Sequence, residues 1–223
     1  MTATLLSWSG GKDSALALAA LRADAQVEVI GLLTSITRDY DRISIHGVRR
    51  ALLELQARAL GLPLFEVSLE AGTSNAAYES AFLEGVKSAR MARPDLAAIA
   101  FGDLFLADVR AYRERLLVGT HLAPVFPLWE RPTAPLARTF VEDGYVAHLV
   151  CVDTTQLDGS FAGSIYNHAL LDALPPSVDP CGENGEFHTF VSAGPGFTVP
   201  VPVTVGDMVL RDGRFMYADL LPA

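Results

Sequence analysis

Short apolar runs alternate with amphipathic stretches through the first half of the chain. Four runs rich in aliphatic or β-branched residues predict buried strands, at residues 5–8, 27–33, 64–69 and 96–101. The stretches after them predict helices, at residues 14–22, 47–60, 75–91 and 108–117. Alternating strands and helices indicate βαβ units. We therefore expect a parallel sheet that binds its ligand at the carboxyl ends of the strands.

Prolines interrupt this alternation beyond residue 127. A helix is predicted at residues 135–142 and a strand at residues 147–152, and a glycine-rich stretch at residues 181–196 then breaks the pattern. Residues 199–221 predict strands joined by a hairpin turn at Asp212-Gly213. The expected fold class is α/β, with a parallel-sheet domain at residues 1–127 and a smaller mixed α+β domain at residues 128–223.

The composition disfavours several classes of protein. Half of the 223 residues are apolar, which suits a globular protein with a core rather than a disordered chain. The net charge of -9 disfavours a nucleic-acid partner, because such proteins usually carry a basic face. No apolar run approaches the roughly 20 residues of a membrane span. We expect a cytoplasmic protein without a membrane partner, and its assembly into a homo-oligomer is left open.

The sequence Ser9-Gly10-Gly11-Lys12-Asp13-Ser14 lies between the first predicted strand and the first predicted helix. Glycines let backbone N–H groups approach an anion, and a helix start adds unpaired N–H groups. The helix dipole offers an exposed anion only about 0.3–1 kcal/mol, so Lys12 and a metal must supply most of the charge that a triphosphate needs. Asp13 would repel phosphates unless a cation bridged the two groups. Mg²⁺ suits that role.

The loop differs from a Walker A sequence at two positions. Leu6 stands where that pattern requires glycine, and Asp13 stands where it requires serine or threonine. The difference favours a loop that holds a departing pyrophosphate over one that transfers the terminal phosphoryl group. A glycine-rich turn without a ligand is the alternative, and the combination of Lys12 with Asp13 argues against it.

This loop and several later segments together resemble a known family. The sequence SGGKDS after a first strand is typical of the PP-loop ATP pyrophosphatases. Within that superfamily the chain resembles the diphthine–ammonia ligase family, at His46, residues 55–64, residues 127–129, Gly144-Tyr145 and residues 181–189. The last segment reads CGENGEFHT and is the most specific of these matches.

The resemblance implies a PP-loop domain, a family-specific second domain and an amide-forming reaction. ATP would activate a carboxylate as an acyl-adenylate, pyrophosphate would leave, and ammonia would attack the activated carbonyl. By the same resemblance, the loop from Ser9 to Ser14 binds the phosphates of ATP. The remaining expected site residues are catalytic Lys12, Asp13, Glu183 and Glu186, with Asp13 also the metal ligand, and substrate-binding His46, Asp103, Cys181, Gly182, Glu183, Glu186, His188 and Thr189.

Two segments depart from the pattern of that family. Residues 101–105 read FGDLF where the family has a Gly-Ala-Ile run, and residues 186–189 read EFHT where the family has EYET. Both segments are expected to contact the acceptor. The acceptor is therefore left open between diphthine, which is a modified residue on an elongation factor, and another carboxylate such as a small metabolite.

Several candidate residues also have a structural interpretation. The acidic residues in segment 183–186 could form a solvated loop instead of holding a metal, orienting ammonia or taking its proton. His188 is balanced between an acid–base role and a hydrogen-bonded structural role. Asp103 and His46 could each cap a helix. Cys181 is expected to have a structural role or to line the substrate site. A role as nucleophile is disfavoured, because the sequence identifies no histidine that would activate the thiol.

Two other functions compete with an amide ligase. A tRNA-modifying PP-loop enzyme would need a basic tRNA surface and, for thiolation, reactive cysteines, and the composition disfavours both. A nucleotide-binding sensor without turnover is the second alternative, and the presence of Lys12 and Asp13 favours catalysis over it. No glutaminase unit is recognisable, so we expect nitrogen from free ammonia or from a partner protein.

Overall fold

The computed structural model describes residues 1–44 and 46–223, which two β-sheets organise. The first sheet contains β1 (Thr2–Ser7), β2 (Val27–Thr37), β3 (Arg42–Ile43), β4 (Leu64–Leu69), β5 (Ala98–Ala100) and β6 (Ala123–Val125). β1 lies between β2 and β5, β4 also pairs with β2, and β6 pairs with β5, all of them in parallel. The short β3 runs antiparallel to the end of β2. The predicted parallel sheet is confirmed.

Six α-helices are present in the described residues: α1 (Lys12–Ala23), α2 (Arg50–Leu60), α3 (Asn75–Ala92), α4 (Ala107–Leu116), α5 (Thr133–Glu142) and α6 (His168–Ala173). None of the described helices combines the length and the apolar character that a membrane crossing needs. α2 begins later than its pattern predicts, because Gly47 has a φ of 70° and its backbone packs against the Tyr217 ring. Gly61 ends α2 with a φ of 67°, as its position predicts.

The second sheet is antiparallel and lies in the C-terminal part of the chain. It contains β7 (Val146–Asp153), β8 (Phe187–Ala193), β9 (Val203–Arg211) and β10 (Phe215–Pro222), in the order β8-β7-β10-β9. Asp212 and Gly213 form the predicted hairpin turn, with φ angles of 51° and 62°. The glycine-rich composition of residues 181–196 does not predict β8, which is nevertheless largely buried. The α/β fold with a smaller second part is confirmed.

One apolar cluster joins the two sheets. It contains Leu6 and Leu32 from the first sheet together with Phe190 and Leu220 from the second. Leu5 points to the other face of the first sheet, where a separate cluster packs against α3 and α4. The second sheet therefore covers one face of the first, and β8 meets the edge where the phosphate loop lies. The expected domain boundary at residues 127 and 128 falls between β6 and β7 and stays a prediction.

Candidate active site

The phosphate loop connects β1 to α1 at the carboxyl edge of the first sheet. Gly10 has a φ of 79°, a conformation that glycine adopts at little cost. Gly11 caps α1 without a side-chain hydrogen bond of its own, and the N–H of Lys12 at the start of the helix donates to Oγ1 of Thr189 at 3.0 Å. A Cβ on Gly11 would lie 2.9 Å from the carbonyl oxygen of Thr189, so the close approach of β8 requires glycine here. The loop presents a helix start to an anion.

Contacts from α2 and β8 hold the loop in this shape. The carbonyl of Gly10 accepts hydrogen bonds from the N–H of Val191 at 2.9 Å and from Nε2 of Gln56 at 3.0 Å. Gln56 is completely buried and also donates to the carbonyl of Val191 at 2.6 Å. Its Oε1 accepts a hydrogen bond from the Trp8 indole at 3.0 Å. The loop is therefore fixed by the protein itself.

A cavity of about 250 Å³ opens against the phosphate loop. Its wall combines the loop with the segment after β5 and with the segment that leads into β8. The expected site residues that line it are Ser9, Gly11, Lys12, Asp13, Ser14, His46, Asp103, Gly182, Glu183, His188 and Thr189. Gly10, Cys181 and Glu186 do not belong to this lining. The fold thus brings most of the expected residues together.

The Lys12 side chain is buried at this wall, with 2% of it exposed. Its Nζ donates to the two oxygens of Asp13 at 2.7 and 2.8 Å and to the carbonyl of Cys181. Burial alone would lower the pKa of Lys12, but the charges of Asp13 and Glu183 outweigh burial and hold that pKa above its ordinary value. Lys12 is therefore a cation that already balances the charge of Asp13.

Three carboxyl groups face two cations across the cavity: Asp13, Asp103 and Glu183 against Lys12 and Arg113. Burial raises the pKa of Asp103, and the Arg113 guanidinium offsets only part of that rise. The cavity has no surplus of positive charge, so a polyphosphate would need an additional cation. No group of three described His, Cys, Asp or Glu residues could hold a metal alone. The donor set fits Mg²⁺ shared between Asp13 and phosphate oxygens.

Glu183 connects the segment before β8 to the segment after β5. Its Oε1 accepts hydrogen bonds from the N–H groups of Leu104 at 2.8 Å and Phe105 at 3.4 Å. Burial raises the pKa of Glu183 to about 7, and the nearby Asp13 carboxylate contributes to the rise. A carboxyl group that titrates near neutral pH inside a cavity is suited to acid–base chemistry.

Glu186 points away from the cavity. Its buried carboxylate accepts hydrogen bonds from the N–H of Asp179 at 2.8 Å and from the N–H of Asn184 at 2.9 Å. It also accepts one from the Asn184 side chain at 3.0 Å. These bonds close the turn that carries Glu183. They indicate a structural role for Glu186, whose expected catalytic and substrate-binding roles stay predictions.

Cys181 also lies behind the cavity wall. Its Sγ donates to the carbonyl of Thr133 at 3.4 Å, and burial raises the pKa of the thiol to about 12. A thiol with such a pKa stays protonated near neutral pH and is a poor nucleophile. The contribution of Cys181 to the site is its backbone carbonyl, which accepts a hydrogen bond from Lys12.

A second cavity of about 490 Å³ adjoins the first. The residues that line both cavities, called the junction below, are Ser7, Ser9, His46, Val109 and Arg113. The sequence pattern suggests that Arg113 lies on a solvated helix face, but its Nε is enclosed, has no hydrogen-bond partner and lies 3.8 Å from Asp103. Val109, Arg113 and Leu116 share one face of α4, and this spacing is the signal that could have identified Arg113.

Two histidines pack together beside the junction. The ring centroids of His46 and His188 lie 4.4 Å apart, and Nδ1 of His46 is enclosed without a hydrogen-bond partner. Burial lowers the pKa of His46 well below its ordinary value, and His188 and Lys12 lower it further. Burial and Lys12 also lower the pKa of His188 to about 4. Both imidazoles are therefore neutral at pH 7.

Comparisons with known proteins match both parts of the chain. Residues 1–117 match the diphthamide synthase N-terminal domain, and residues 132–212 match the diphthamide synthase C-terminal domain. The diphthine–ammonia ligase of Rattus norvegicus is 25% identical in an alignment of 224 positions, which covers 91% of this chain and 83% of that protein. The family resemblance found in the sequence is confirmed. The chain therefore belongs to the diphthamide synthase family.

Proposed function

We propose that this protein is an ATP-dependent ligase that joins ammonia to a carboxylate while ATP is split into AMP and pyrophosphate. The observation that carries the proposal is a preformed phosphate loop facing a cavity that continues into a second, larger one. A diphthine–ammonia ligase among the relatives supports the same class of reaction.

The two cavities suit ATP in one orientation. The helix start and Lys12 border the first cavity, so the phosphates would lie there. The second cavity is lined by the aromatic residues Trp8, Tyr78 and Tyr112 and would take the nucleoside. In this orientation the α-phosphate lies at the junction. The junction is then the point at which a carboxylate would attack to form the acyl-adenylate.

The loop residues would act together on the departing pyrophosphate. Asp13 would hold Mg²⁺ jointly with the phosphates, and the metal would screen their charge. With Mg²⁺ held by Asp13, the Lys12 ammonium would donate to phosphate oxygens instead of to the Asp13 carboxylate. Ser9 and Ser14 bring hydroxyl groups to the same wall, and the hydroxyl of Ser14 donates to the Gly11 carbonyl at 2.8 Å. Glu183 would orient ammonia or the acceptor, or exchange a proton with it.

The acceptor remains open between diphthine and another carboxylate. The relative from Rattus norvegicus is a diphthine–ammonia ligase, which favours diphthine. Both segments that depart from the family pattern reach the cavity, through Gly102 and Asp103 in one and His188 in the other. This favours an acceptor of different shape or charge. Ammonia as the nitrogen source, a cytoplasmic location and the lack of a nucleic-acid partner stay predictions.

Product analysis tests this proposal directly. The protein is incubated with ATP, Mg²⁺, ammonium and a panel of carboxylates that includes a diphthine-bearing elongation factor. We expect AMP and pyrophosphate with one acceptor, and we expect Lys12→Ala to abolish them. Lys87→Ala is the matched control, because the side chain of Lys87 is 69% exposed on α3.

Three outcomes would contradict the proposal. Formation of ADP and phosphate would show that the loop does not hold a departing pyrophosphate. Tight binding of ATP without turnover across the whole panel would favour the nucleotide sensor instead. Turnover that requires tRNA would favour the tRNA-modifying alternative, against which the net charge of -9 argues.

A further inference from the structure

The junction holds a neutral hydrogen-bond acceptor close to the point of adenylate formation. His46 lines both cavities, and its Nδ1 is enclosed and lacks a partner. An enclosed polar atom without a partner costs about 1–3 kcal/mol of desolvation, so its retention calls for an explanation. A bound ligand that donates a hydrogen bond to Nδ1 would explain why this atom has no partner within the protein.

The surroundings of His46 fix the ring and hold it neutral. The His188 ring packs against the His46 ring at a centroid distance of 4.4 Å, and the Thr189 backbone lies close enough to influence the pKa of His46. The charged group that faces both rings is Lys12, whose positive charge disfavours a second cation nearby. A neutral imidazole in a fixed orientation can accept a proton but holds it only briefly.

We propose that His46, positioned by His188, accepts the proton that the ammonia nitrogen loses when it attacks the activated carboxylate. This assignment rests on the proposed function and extends it to the second half of the reaction. The geometry that carries it is the unpartnered Nδ1 at the junction, where the adenylate is expected to form.

The chemistry of this step is balanced. The lone pair of neutral ammonia forms the new C–N bond, and the bond between the carbonyl carbon and the adenylate oxygen breaks. AMP leaves with that electron pair. One nitrogen-bound proton passes to Nδ1 of His46 and then to solvent, which leaves the neutral amide. No oxidant, reductant or further reactant is required.

The two half-reactions can be measured separately, so the test distinguishes a defect in adenylate formation from a defect in the attack by ammonia. Exchange of labelled pyrophosphate into ATP, without ammonium, reports adenylate formation with the acceptor found in the panel. Amide formation, with ammonium, reports both halves. We expect His46→Gln to retain exchange and to lose about 10²–10⁴-fold in amide formation, the typical contribution of a general base. We expect His188→Gln to change the same half-reaction by a smaller factor.

His148→Gln is the matched control, because His148 also has an enclosed Nδ1 without a partner but lies on β7 and does not line the cavities. It should leave both half-reactions unchanged. Hydroxylamine, a stronger nucleophile that is largely unprotonated near neutral pH, should restore part of the rate of His46→Gln.

Each result separates this inference from the proposed function. Parallel loss of exchange and amide formation in a folded His46→Gln or His188→Gln protein would overturn the proton-acceptor role and leave the ligase intact. Unchanged amide formation in both variants would overturn it as well. If the unmodified protein forms no AMP with any acceptor, the proposed function fails, and the inference fails with it.

Discussion

The buried Gln56 side chain offers a direct test of how the protein shapes its phosphate loop. Replacing Gln56 with methionine keeps the size of the side chain and removes its hydrogen bonds to Trp8, Gly10 and Val191. The Gly10 carbonyl keeps its bond from the Val191 N–H. The Trp8 indole N–H and the Val191 carbonyl lose their partners inside the core.

The expected loss of stability follows from those two orphaned groups. A buried polar group without a partner costs about 1–3 kcal/mol, so Gln56→Met should lower the free energy of unfolding by about 2–6 kcal/mol. The N–H and carbonyl of one strand residue point to the same side, and the Val191 N–H points to the loop. No bond from β7 can therefore satisfy the Val191 carbonyl.

Urea unfolding measures this loss, with circular dichroism and tryptophan fluorescence followed together to check that the transition is two-state. Gln26→Met is the control, because Gln26 is exposed and its replacement should change stability by less than about 0.5 kcal/mol. A loss below about 1 kcal/mol in Gln56→Met would refute the reasoning, since even one orphaned group should cost that much.

Three further predictions address the site and its supports. Burial raises the pKa of Glu183 from 4.5 to about 7, so the native protein should lose stability as pH rises through that window. Glu183→Gln should flatten the dependence of the melting temperature on pH, and an equally steep profile would count against this. Gly11→Ala would bring a Cβ to 2.9 Å from the Thr189 carbonyl and should weaken Mg·ATP binding in calorimetry. Unchanged affinity would argue that the loop is not the phosphate site. Asp219→Asn weakens bonds of 2.6 and 3.0 Å to the half-exposed Arg49 and should cost about 1 kcal/mol in urea unfolding, whereas an unchanged midpoint would contradict this.

The sequence predicts those parts of the fold whose signal is local. The run at residues 64–69 predicts β4 with its observed bounds, and Gly61 marks the end of α2. The sequence pattern does not predict β8, because glycines surround this strand and the segments that it contacts lie far away in the sequence. Glu186 shows the corresponding limit for the site. Its spacing from Glu183 suggests a shared role, but only the folded turn reveals which carboxylate reaches the cavity.

β8 lies at the end of its sheet, where the phosphate loop and His188 meet on one strand. The outer edge of this strand is met by the phosphate loop, through the bond from Val191 to Gly10 and the bond from the Lys12 N–H to Thr189. The same strand carries His188, which lines the first cavity. Any coupling through such an edge is reciprocal: a bound acceptor would change the affinity for ATP by the same factor by which bound ATP changes the affinity for the acceptor. A measurement of one of these two effects would therefore give the size of the other.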